Sequence, residues 1–229
     1  MPRSQFDQEL NKMHVDLDRM CHLVVLAIEN CVTAFKEQDY ELDGDKQIND
    51  VERSIEAKCL SLILKQQPVA SDLRDVSTAL KVVTDLERIG DQSADIAELI
   101  LEMKEMDSFL MIGHIQDMAK IATKMVKEAL DAFHQHDLKH ALEVKKMDIK
   151  MEDLLIAEEV SHNVDVVDAL FEEIVNDLVD IIKKDEGTSE VLDMLMVAKY
   201  FERIGDHVVN ICEWIEFNQT GKLNNTRLI

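Results

Sequence analysis

Apolar side chains return every three to four residues along almost the whole chain. The clearest stripe runs Met13, Leu17, Met20, Val24, Ile28, Cys31 and Phe35, the spacing of one face of an α-helix. Breakers cut this pattern into segments. Pro68 follows Gln66-Gln67, Ser71 or Asp72 can cap the segment after it, and Gly187-Thr188-Ser189 reads as a stop followed by a new N-cap. Between breakers the periodicity predicts six helices, near 5–37, 39–66, 69–106, 109–135, 137–184 and 188–218. The tail from Thr220, with Asn224-Asn225, is predicted to fray.

An internal repeat organises these helices. Residues 85–98 read DLERIGDQSADIAE and residues 200–213 read YFERIGDHVVNICE, with seven of fourteen positions identical at a constant offset of 115. Their flanks agree in character, Leu80 matching Leu195 and Val76 matching Val191. A weaker echo pairs Ala34-Phe35 with Ala132-Phe133. The simplest architecture is all-α: two tandem three-helix bundles, residues 1–107 and 108–229, with the repeated motif on the third helix of each.

Composition supports this and removes other classes. The chain has 229 residues, 46% hydrophobic and 31% charged, with only 6 Gly and 2 Pro, which excludes disorder and a turn-rich β-sandwich. Aromatics are 4% while Met reaches 12, so Leu, Ile, Val, Ala and Met must build the core. A net charge of −22 leaves no basic face for nucleic acid. No apolar run approaches the roughly 20 residues that span a bilayer, so membrane insertion is not expected. Met1-Pro2-Arg3-Ser4-Gln5 lacks the apolar stretch of a secretory signal. Cys21, Cys31, Cys59 and Cys212 form no CxxC pair and fall at apolar helical positions, as buried thiols do.

The repeated motif carries the candidate chemistry. Glu87, Asp91 and Asp95 are spaced i, i+4, i+8, and Glu202, Asp206 and Asn210 repeat that line; Glu98 and Glu213 extend it. Unpaired acids at this spacing repel one another, and a bound cation reverses the sign. Oxygen donors without sulfur suit magnesium, manganese, iron or, less selectively, zinc. Asp45, Asn49 and Glu52 on the second helix are available partners. Gly90 and Gly205 sit at the same place in both copies although glycine costs a helix about 1 kcal/mol relative to alanine. Another helix or a ligand is therefore expected to approach the backbone there. Arg88 and Arg203 project to a different side, toward an acidic neighbour or an anion. Against all this stands a plainer reading, a solvated charged face with a packing glycine.

Other clusters rank lower. His14, Asp18 and His22 read as surface groups beside the first stripe, and His134, His136 and His140 as exposed capping residues. Glu159-Val-Ser-His162 is the chain's one ExxH, whereas a ferritin-like di-iron site needs two. No HExxH, Walker loop, GxSxG or nucleophile–base pair appears, so catalysis is not expected. Three function classes stay open on residues alone: a signalling adaptor, a metal-dependent bundle enzyme (phosphatase or oxidase), and a structural scaffold.

Glu87-Arg88-Ile89-Gly90-Asp91 and Glu202-Arg203-Ile204-Gly205-Asp206 resemble the ERIGD-like segments of the PhoU family. So do Gly44-Asp45-Lys46-Gln47-Ile48-Asn49 and Gln67-Pro68-Val69-Ala70-Ser71-Asp72-Leu73-Arg74, and the likeness runs from about Leu10 to Trp214. The resemblance implies a cytoplasmic, homodimeric negative regulator of phosphate uptake and phosphate homeostasis. It also implies partners, the ATPase of a phosphate ABC transporter and a phosphate-responsive sensor histidine kinase. Some relatives carry iron or zinc clusters on i,i+4 carboxylates. Carried over, the metal positions are Glu87, Asp91, Asp95, Glu202, Asp206 and Asn210, with Asp45 and Asn49 as the helix-2 element. In the second bundle the equivalent element is either Asp148 with Glu152 or Asp165 with Asp168. The reason is that 42 residues separate Asp45 from Glu87 but 54 separate Asp148 from Glu202.

Overall fold

The protein is described here by a computed structural model covering residues 3–37, 44–66, 68, 71–102, 109–135, 139–144, 166–183, 188–223 and 226–227. Helix α1 spans Arg3–Glu37, α2 Gly44–Gln66 and α3 Ser71–Glu102. The second half supplies α4 Phe109–Gln135, α5 Val166–Lys183 and α6 Thr188–Thr220, with a further helical stretch at 139–144. The all-α reading therefore holds; the described residues form six long helices, as expected, and one further short helical stretch. Its boundaries shift: α2 starts at 44 rather than 39, and α3 runs 71–102 rather than 69–106. Starting α3 at Ser71 leaves Pro68 outside the helix, where its missing N–H costs nothing. Much of the predicted 137–184 helix, including 145–165 with Asp148, Glu152 and Asp165, lies outside the described residues.

The predicted frayed tail is a correction. Gly221 adopts φ 70° and donates its N–H to the Phe217 carbonyl at 2.8 Å, closing the end of α6. The chain then turns into a two-residue antiparallel pair, Lys222–Leu223 (β1) with Thr226–Arg227 (β2). Phe217 is buried, its ring edge-on to Trp214 with centroids 5.5 Å apart.

Met13, Leu17, Met20, Val24, Ile28 and Cys31 are all buried, as the α1 stripe requires, against α2 and α3. Across the α1–α2 seam the Cys59 thiol faces Met13 Sδ at 3.3 Å, and Lys58 pairs with Asp16. The four cysteines are free and buried, and burial pushes the Cys59 thiol up to about 12, an inert thiol. The two halves meet chiefly along α3 and α6, with α1 also touching α4, and one continuous apolar cluster runs through both.

Candidate functional site

The pairing of α3 with α6 decides where the motif side chains go. Arg74 Nε donates to the Asn218 carbonyl at 3.0 Å, Thr78 Oγ1 to the Trp214 carbonyl at 3.4 Å, and Asn218 Nδ2 to Asp75 at 2.9 Å. Further along, Asp85 Oδ1 lies 2.8 Å from His207 Nδ1 and accepts from Asn210 Nδ2 at 3.3 Å. Rising numbers on one helix meet falling numbers on the other, so the helices are antiparallel. At the repeat's offset of 115, this register sets Ile89 beside Ile204, and neither has any exposed surface. The two ERIGD copies thus cross one another at their own centres.

The crossing has internal two-fold symmetry. Positions 85 and 200 are equivalent, as are 95 and 210. Asp85 meets Asn210, and correspondingly Tyr200 donates its phenol O–H to Asp95. Burial first, then the Asp95 charge and this hydrogen bond, raise the Tyr200 hydroxyl above its ordinary value. Gln92, equivalent to His207, is buried, and its Oε1 has no hydrogen-bond donor among the described residues. Asp95 and Asn210 therefore engage the opposite half. Eight residues at 100° each leave Asp95 about 80° around α3 from Glu87, so it is not a third rung on the same face.

Glu87 and Asp91 remain half-buried on the side of α3 toward α2. Burial and, next, the charge of Glu87 hold the Glu52 carboxyl above its usual range, so these two acids face each other across α2 and α3. Arg53 and Arg88 oppose that shift more weakly. Asn49 is half-buried on α2; Asp45 begins that helix, its side chain outside the described set. Gly90 explains the close approach: an added Cβ would lie 2.8 Å from Ile48 Cδ1 and 3.2 Å from its Cγ2. The neighbour is thus α2, drawn against α3 at Ile48, the residue before Asn49. Gly205 is likewise buried.

In the second half the same positions sit differently. Lys199 Nζ lies 2.5 Å from the Glu202 carboxylate and 5.1 Å from the centre of the Phe171 ring on α5. Burial, then Glu202, raises the Asp206 carboxyl; Lys199, His207 and Arg203 pull it back. Arg88 and Arg203 are exposed. Among the described residues no three His, Cys, Asp or Glu side chains converge as a metal-holding group. The pairs Glu52–Glu87 and Glu202–Asp206 are what those residues supply.

Sequence reading did not single out Asp85, His207, Tyr200, Gln92 or Lys199. A usable signal was present for the first four: they are the repeat positions flanking the identical core that differ between copies. Positions that must pair with their own counterparts across a pseudo-two-fold axis are free to diverge together.

A pair of helical bundle halves, joined through a duplicated ER-x-GD helix, is the class of protein these features define. The family model described as "PhoU domain" matches residues 17–100 and 149–215. This chain belongs to the PhoU family. It is 35% identical to the "Phosphate-specific transport system accessory protein PhoU homolog" of Clostridium acetobutylicum, covering 97% of each chain. It is 31% identical to the Escherichia coli K12 "Phosphate-specific transport system accessory protein PhoU", over 95% of this chain and 86% of that one. The crystal structure of PhoU from Pseudomonas aeruginosa superposes with a TM-score of 0.79 at 30% identity, covering 95% of this chain and all (100%) of that one. The Streptococcus pneumoniae phosphate transport system regulatory protein PhoU gives 0.80 at 25% identity, covering 95% and 98%.

Proposed function

We propose that this chain is a non-enzymatic accessory regulator of a phosphate-specific transport system, acting in the cytoplasm as a homodimer. It restrains phosphate uptake and phosphate-starvation signalling by linking the transporter's ATPase to a sensor histidine kinase. The observation that carries this reading is likeness to transport accessory proteins over 97% of the chain, with both ER-x-GD copies intact. Among the described residues no helix is long and apolar enough to cross a membrane, as suits a protein that docks on membrane complexes from outside the bilayer. Its net charge of −22 favours basic partner surfaces and association that slows with salt.

The metal component of the proposal narrows to the lines facing α2 and α5. In the first half Glu87 and Asp91, with Glu52, Asn49 and Asp45 of α2, are a set of oxygen donors in which Glu52 and Glu87 repel each other. They fit a hard or borderline ion: iron, zinc, manganese or magnesium. Such an ion would supply charge neutralisation and a bond between two helices. In the second half Glu202 and Asp206 are the corresponding donors, and Lys199 already neutralises one of them.

Two experiments test this. Cells lacking the protein should express phosphate-starvation genes in phosphate-rich medium, and the transporter ATPase and kinase should co-purify with it. Silent genes in such cells would remove the regulatory reading. Separately, elemental analysis of protein purified without chelator should show metal that Asp91→Ala and Asp206→Ala reduce. Unchanged metal content in the double variant would remove the ion from these lines and leave the regulatory reading standing.

A further inference from the structure

Away from the α3–α6 crossing, the halves meet a second time where the C-terminal part of α1 passes α4. A groove of about 720 Å³ opens there. One wall carries Lys120, Lys124 and Lys127 of α4; the other carries Glu29, Asn30 and Thr33 of α1. This concentration of ammonium groups is unexpected in a chain with 47 acids and 25 basic residues. Spacings of i, i+4 and i+7 place the lysines on one side of the helix, rising by about 6 and about 4.5 Å along its axis. The Ala34-Phe35 and Ala132-Phe133 echo makes Glu29 and Lys127 equivalent positions, and they pair with each other at 2.5 Å. The groove therefore straddles the junction of the two halves.

We propose that this groove binds a small elongated polyanion, one bearing a chain of phosphate groups. The site is distinct from the ER-x-GD lines. Its volume falls in the range of small-molecule sites rather than of extended protein interfaces. Each lysine has an acidic partner already: Lys127 with Glu29, Lys120 with Asp117 at 2.7 Å, and Lys124 with Glu128 at 3.8 Å. The lysine side chains nonetheless stay 45–67% exposed, and pairs in that setting hold their partners weakly. Phosphate oxygens, which form stronger charge-assisted hydrogen bonds, can replace the carboxylates. Thr33 and Thr123 return their hydroxyl protons to the Glu29 and Ala119 carbonyls. The donors facing the groove are therefore the three ammoniums and the Asn30 amide. A row of cations about 10 Å long is met by a chain of phosphates and only in part by a single one. Glu29 and Glu128 oppose any anion, so the groove as it stands is tuned below its full affinity.

Calorimetric titration of the full chain at low salt, with tripolyphosphate, ATP and orthophosphate as separate probes, tests the assignment. Tripolyphosphate should bind once per chain, about tenfold or more tighter than orthophosphate. Equal affinity for ATP identifies the phosphate chain as the recognised group; tighter ATP binding assigns a nucleotide to the groove. Lys120→Gln/Lys124→Gln/Lys127→Gln should weaken binding by about tenfold or more with circular dichroism unchanged, while Glu29→Gln should tighten it severalfold. If the triple variant misfolds, Lys124→Gln and Glu29→Gln must still move affinity in opposite directions. The proposal is overturned by absence of saturable binding, by binding indifferent to the lysines, or by loss of binding in Arg88→Gln/Arg203→Gln instead.

Discussion

The two copies of ERIGD agree in their centres and differ in their surroundings. Ile89 and Ile204 are buried alike, and each copy sends one side to the opposite half through an equivalent contact, Asp85 with Asn210 and Tyr200 with Asp95. On the other side the symmetry fails. Glu87 confronts the Glu52 carboxyl, whereas Glu202 is held by Lys199. Duplication thus preserved the seam, which needs two matching halves, and released the outward lines, which do not need each other. The first half sets Glu52 against Glu87, while in the second Lys199 of the same helix meets Glu202.

The largest effect should come from breaking what the halves share. Truncating Ile89 or Ile204 to Ala removes a fully buried side chain at the crossing. Each should cost about 2–5 kcal/mol in urea unfolding. Because the two residues are equivalent about the crossing, their costs should agree within about 1 kcal/mol. A cost confined to one copy would show that the seam is not symmetric. Because the register sets the two side by side, the double variant should depart from the sum of the singles.

Metal affinity should separate the halves next. Glu87→Gln should lower it by about 10- to 100-fold, a second-half Glu202→Gln by less, since Lys199 already competes for that carboxylate. Equal losses, read by titration with manganese or zinc, would erase the difference drawn between the two lines.

Gly90→Ala comes third. Alanine gains about 1 kcal/mol of helix propensity, but its Cβ would lie 2.8 Å from Cδ1 and 3.2 Å from Cγ2 of Ile48, a fully buried side chain that would have to shift. Overpacking of this kind costs about 1–3 kcal/mol, so a net loss of about 1 kcal/mol is expected in thermal or urea unfolding. Pairing it with Ile48→Val should recover part of that loss, as a steric cause requires.

The helices were legible because amphipathic periodicity is a local property: α1 buries Met13 through Cys31 as its stripe requires. The ends were less so. Gly221 caps α6 by adopting φ 70°, and Lys222-Leu223 pairs with Thr226-Arg227, where composition alone suggested fraying; Asn224-Asn225 lies outside the described residues. In the motif, the i, i+4 spacing sets Glu87 with Asp91 and Glu202 with Asp206 on one face, but the third position of each line does not share it. Asp95 lies two turns from Glu87, and a rotation of 100° per residue leaves it about 80° around the helix. That angle is enough to carry it from the α2 side to the α6 side. At Gly90 the close approach expected of the glycine is present; that the neighbour is Ile48 depends on the relative height of α2 and α3, which no single-helix pattern encodes.

The smallest effect is also the most diagnostic of the Glu52–Glu87 opposition in the first half. Burial and Glu87 raise the native Glu52 carboxyl above its ordinary 4.5, so the folded state takes up its proton at higher pH than the unfolded chain does. The charged group is therefore a net cost at neutral pH. That cost shrinks as the pH falls through the raised native value, and it vanishes below 4.5, where both states are protonated. Glu52→Gln should accordingly stabilise metal-free protein at pH 7, by less than about 1 kcal/mol because the group is partly solvated. The advantage should disappear below the ordinary carboxylate range. Adding manganese or zinc should reverse the order at pH 7, since the ion turns mutual repulsion into shared ligation and Gln offers it no charge. A Glu52→Gln gain at pH 7 that persisted unchanged into acid would trace to helix propensity rather than charge. One untouched by metal would detach Glu52 from the Glu87 line.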